Sequence, residues 1–169
     1  MKVARSFGSI ALMFLVLACG KSGKLAPLLP DAPDGWTAEG SATNQDVSGT
    51  GHSSTRSYVP NSSALGVQRV KVQILLGDKD ADQKKLADMS LERRSEFKER
   101  KQVAGYPAYE SFALPSNDSH SLDILPKSGI VVQIVAYKGG AGWEKTENQQ
   151  AAVNAFVGKM DLKKIAALE

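Results

Sequence analysis

Few residues of this chain could do chemistry: two histidines, one cysteine, and small sets of carboxylates and glycines in suggestive spacing. Asp78, Asp80 and Asp82 alternate as the first ligands of many calcium loops do, converging carboxylates on a hard cation. An EF-hand loop would next need glycine at the sixth place and glutamate at the twelfth, where this chain has Gln83 and Met89. The acids are therefore read as the start of a helix, and no metal site is expected. Gly139, Gly140 and Gly142 fall between a predicted strand and a predicted helix, a place where phosphate loops occur. A Walker loop needs its lysine and hydroxyl directly after the last glycine, but Trp143 and Glu144 intervene before Lys145 and Thr146. That stretch reads as a flexible connection. His52 and His120 sit in serine-rich or loop-flanking stretches, and no His-x-x-x-His pair exists. Ser121 and Asp123 beside His120 invite a triad, yet triad members meet through the fold and not by adjacency. No G-x-S-x-G elbow is present. Both histidines are expected as surface polar residues, with no catalytic residue and no cofactor assigned.

Composition narrows the classes further. At 42% hydrophobic and 23% charged, the 169-residue chain has globular values, which excludes a disordered or collagen-like polymer. One cysteine excludes a disulfide framework and a cysteine-rich zinc module. Setting aside Lys2 and Arg5, which lie in a removable leader, 19 basic residues face 18 acidic ones, no footprint for nucleic acid. The basic run at 93–101 is interrupted by Ser95, Glu96 and Glu99, so it reads as a solvated face. Among the aromatics, Trp36, Tyr106 and Trp143 are candidates for the rim of a partner groove, against the alternative that they fill the core or cap a sheet edge.

The cysteine belongs to the leader. Lys2 and Arg5 precede an apolar run at 7–17, about 16 Å of helix and roughly half the hydrocarbon core of a bilayer. Residues 1–18 are expected to be a signal peptide and not a membrane span. Val16-Leu17-Ala18-Cys19-Gly20 resembles the lipobox of bacterial lipoprotein precursors. The resemblance implies diacylglyceryl transfer to the Cys19 thiol, cleavage before it, and acylation of the new amino terminus. Several acyl chains are what stable anchoring requires, because one chain holds only reversibly. The alternative is an ordinary secretory leader cut after Ala18, which would leave an unpaired thiol at the mature terminus. Gly20 after the cysteine, and no aspartate, implies by the same resemblance the outer membrane of a Gram-negative host.

The remaining elements must position whatever site exists. Residues 19–34 carry Pro27, Pro30 and Pro33 and are expected to be a semi-rigid tether, with Leu28 and Leu29 able to dock on the domain. A single domain is expected over 35–169. Strands are predicted at 36–42, 55–59 and 67–76, the last alternating Val70, Val72, Ile74 and Leu76 with polar neighbours. Residues 44–54 read as a loop and 80–101 as a helix. A hairpin, a further strand at 119–125 and a strand at 130–137, apolar on both faces, follow. Thr146-x-x-Gln149 is a capping box opening a helix whose stripe is Ala152, Val153, Phe156, Val157 and Met160. This order predicts an α+β fold, an antiparallel sheet with helices packed against it.

From Trp36 onward the chain resembles the PsbP-like α/β-sandwich proteins. The likeness rests on the Pro-x-Gly-Trp opening, the strand and helix through 76–101, Val103-x-Gly105-Tyr106-x-Ala108, and the closing segment from Met160 to Leu168. It implies an accessory or binding role without catalysis and transfers no site residue. The expectation is a monomeric, non-enzymatic lipoprotein of the bacterial envelope, held to the membrane through Cys19, with a protein partner there. The competing expectation is an envelope hydrolase or transferase with His52 or His120 beside a serine or carboxylate in a pocket.

Overall fold

The computed structural model describes residues 21–47, 51–62, 66–77, 98–112, 119–138 and 146–168. The expected leader with Cys19, the Asp78–Asp82 acids, most of the expected helix at 80–101, the 139–142 glycines and Trp143 lie outside the described residues. Seven strands form one antiparallel sheet: β1 (Trp36–Val47), β2 (Gly51–Pro60), β3 (Val67–Gly77), β4 (Lys98–Val103), β5 (Tyr106–Phe112), β6 (Ser119–Lys127) and β7 (Ile130–Lys138). Their spatial order is β1-β2-β3-β7-β6-β5-β4. Two helices follow, α1 (Thr146–Val157) and α2 (Leu162–Ala166).

The expected α+β layering is corrected: the described residues make a mainly-β protein with only two short helices. Two local readings explain the difference. Residues 44–47 and 51–54, expected as loop for want of apolar anchors, extend β1 and β2, with Asn44 opposite Ser54 and Asp46 opposite His52. Lys98–Lys101, expected as the end of a helix, belong to β4 and pair with β5. Backbone pairing with a neighbour outweighs local propensity in both places.

Alternation decides what each face carries. On β7, Ile130, Val132, Ile134 and Ala136 face the core, and they align with Val70, Val72 and Ile74 on β3 and with Leu122 and Ile124 on β6. Val131 and Val135 point the other way and are also buried, as the run of apolar residues predicts for a strand covered on both sides. Helix α1 lies across β7, β6 and β3, and α2 against β6. Val153 and Phe156 of α1 and Leu162 and Ile165 of α2 enter the core. Phe156 meets Trp36 edge-on at 5.3 Å between centroids and Tyr58 at 4.6 Å. Asp161 caps α2, its carboxylate accepting from the Lys164 N–H at 2.9 Å.

The segment ahead of β1 is packed, not free. Leu25 is fully buried and Leu29 nearly so, and the Tyr58 hydroxyl donates to the Pro30 carbonyl at 2.5 Å. The folded body therefore reaches back to Leu25, ahead of the Gly35 boundary expected from the sequence. Two turns need their glycines. At Gly51 a Cβ would lie 2.1 Å from the Leu76 carbonyl oxygen, so only glycine admits the close approach of β2 to β3. Between β4 and β5, Ala104 and Gly105 both hold positive φ, 51° and 84°, as a two-residue hairpin turn demands.

Candidate functional site

The same alternation that builds the core brings three charged or ionisable side chains onto its face. On β6, His120 shares parity with Leu122 and Ile124; on β5, Glu110 lies opposite Leu122; on β4, Lys101 lies opposite Ala108. The three meet at the β4–β5–β6 side of the sheet. Glu110 is 5% exposed and His120 fully buried. Lys101 Nζ donates to Glu110 Oε2 at 2.6 Å, and His120 Nε2 lies 2.7 Å from Glu110 Oε1. From α1, Gln150 Nε2 approaches the same Oε1 at 3.4 Å, and Gln149 is buried. A carboxylate in an apolar setting is tolerable when its oxygens are taken up by donors, and Glu110 has them on both oxygens.

Burial pushes the His120 imidazole below its ordinary pKa; the Glu110 carboxylate acts against this and the Lys101 ammonium adds to it. The neutral ring is the favoured form. An open hollow lined by Lys101, Gln102, Pro107, Ala108 and Tyr109 lies beside the cluster, along the β4–β5 hairpin.

The residues singled out from the sequence fare differently. His120 is not a surface residue as expected; it is sealed in the core face. Ser121 and Asp123 do not join it, because odd positions of β6 face the opposite side of the sheet. There Ser121 Oγ lies 2.8 Å from Ser111 Oγ, and Asp123 Oδ1 accepts from Gln133 Nε2 at 2.8 Å. His52 pairs at 2.6 Å with Asp46 across the β1–β2 hairpin, with the Asp46 side chain 73% exposed.

Of the three aromatics expected at a partner groove, Trp143 lies outside the described residues. Trp36 is buried against Phe156. Tyr106 is half-buried on β5, five strand positions from β1, so strand spacing alone puts the two aromatics about 24 Å apart and they do not share one rim.

Glu110 and Lys101 were not identifiable as partners of His120 from the sequence. Their signal is parity: Ala108 and Glu110 occupy the inward positions of β5, and an acid at an inward position needs a buried cation or donor. Among the described residues no group of three metal-ligating side chains occurs, and no helix is long and apolar enough to cross a membrane. No protein-family model, curated protein or solved structure matches the chain.

Proposed function

We propose that this chain is a lipid-anchored, non-catalytic binding or accessory lipoprotein of the bacterial envelope, attached through acyl chains on Cys19. One observation carries the reading: a positive start and an eleven-residue apolar run end in Val16-Leu17-Ala18-Cys19-Gly20, with the chain's one cysteine at the place where the lipid is transferred. The geometry of the domain is consistent with a binding role. The one histidine–serine–aspartate run is split between opposite faces of the sheet, and the imidazole of His120 has no surface open to a substrate.

The reading of an envelope hydrolase or transferase has one observation in its favour, the 2.7 Å approach of His120 to Glu110. It lacks a nucleophile on the same face of β6, because Ser121 points away.

The anchor is tested by expressing the full chain and Cys19→Ala in a Gram-negative host and following membrane fractionation and incorporation of an alkyne fatty acid. The expected result is labelled, membrane-bound wild type and unlabelled, soluble Cys19→Ala. Unlabelled wild type, or unchanged membrane retention of the variant, would overturn the reading.

A further inference from the structure

The lipid anchor and the folded body are closer than a lipoprotein with a spacer would place them. Lys21–Lys24 form a short 3-10 turn against β1 and β2, and a second turn, Ala26–Leu28, also meets β1. Leu25 between them is fully buried, Leu29 is 5% exposed, and the Pro30 carbonyl is held by the Tyr58 hydroxyl. The proline-rich stretch that reads as a tether is thus spent on packing. Only Gly20 separates Cys19 from the first ordered turn, so the Cα atoms of Cys19 and Lys21 are at most about 7 Å apart. Had residues 20–34 been free, the same chain would reach about 50 Å when extended.

We infer that the domain has no spacer and sits directly on the phospholipid headgroups of the leaflet that holds its acyl chains, β1–β2 side inward. This rests on the lipid-anchor reading of Cys19. The attachment lies at one end of the strand order and not beneath its middle. Strand spacing alone then puts β4, six strands across from β1, about 29 Å away. Lys24 is exposed five residues after Cys19, where anionic lipid headgroups would attract its charge. The opposite pole, with β4, β5 and the hollow beside Lys101, is what the domain offers to the aqueous side.

The acylated full chain, purified and reconstituted in phosphatidylethanolamine–phosphatidylglycerol vesicles carrying a headgroup nitroxide, provides the test. A fluorophore is attached at Gln45→Cys on β1 or at Gln102→Cys on β4, both exposed positions, with Cys19 occupied by lipid. Quenching at position 45 is expected to exceed that at 102 by about threefold or more, given a separation near 29 Å. A Gly/Ser insert of about twelve residues between Gly20 and Lys21 is expected to erase the difference, since it restores a flexible tether. Equal quenching at the two positions in acylated protein, or a difference indifferent to the insert, overturns the orientation while leaving the anchor intact. A purified chain whose mass shows no acyl group overturns the anchor and the orientation together.

Discussion

The two sides of one sheet face are built from opposite materials. At the β1–β2 side, Trp36, Tyr58 and Phe156 close on one another, and Leu25 and Leu29 from the N-terminal segment complete the packing. At the β4–β6 side, the same face and the same helix α1 enclose Lys101, Glu110 and His120. The aromatic side lowers free energy by removing apolar area from water and tolerates no gap. The polar side gains little net free energy from its contacts, because desolvation offsets most of the attraction, and it is stable only while every member keeps its partner. The first region is therefore insensitive to mild acid and sensitive to volume, whereas the second contains the group that responds to mild acid.

That contrast can be broken or sharpened by experiment. The largest effect is expected at the aromatic side: Phe156→Ala empties a fully buried site against two other rings and should cost about 3–5 kcal/mol in denaturant unfolding. A loss below about 1 kcal/mol would mean that the aromatic side is not the stabilising region. Next is Glu110→Ala, which strands Lys101 and His120 without their shared acceptor and should cost about 2 kcal/mol. The partial exposure of Lys101 keeps this below the penalty of a fully buried broken pair. Equal costs for Glu110→Ala and Glu110→Gln would show that the carboxylate charge matters, whereas a harmless Glu110→Gln would show that shape alone does.

The smallest effect is the pH dependence. The folded state holds His120 below its ordinary pKa, so the unfolded chain takes the proton first as acid is added. Stability is full above about pH 6.5 and falls as pH drops through that value toward the depressed native one, with a slope of at most about 1.4 kcal/mol per pH unit. His120→Phe should flatten that part of the profile between neutrality and mild acid. An unchanged profile would remove His120 from the account of acid sensitivity.

Much of the strand pattern was legible because alternation is a local signal. Residues 67–76 show it plainly, 130–137 instead show the continuous apolar run of a strand covered on both sides, and both are central strands; the capping box at Thr146 marks the first residue of α1. Parity within β6 even assigns His120 to the side of Leu122 and Ile124, though the serine-rich setting suggested surface. The polar hairpin at 44–54 and the charged Lys98–Lys101 strand were not legible. Neither has an apolar rhythm, and their strand state comes from the ladder offered by the neighbouring strand.

By itself the sequence determines which residues have an apolar period, where an N-terminal apolar run ends in a cysteine, and that no familiar catalytic spacing is present. Each of these is a property of residues a few places apart in the chain. Only the tertiary structure decides that Lys101, Glu110 and His120 meet, that Ser121 and Asp123 turn away from them, and that Leu25 is buried ahead of the first strand. Those facts depend on which strands become neighbours and in what register. The tight turn at Ala104–Gly105 sets the register of β4 on β5, but the meeting of Glu110 with His120 depends on how β6 aligns with β5 across the 113–118 segment, which no short-range pattern contains.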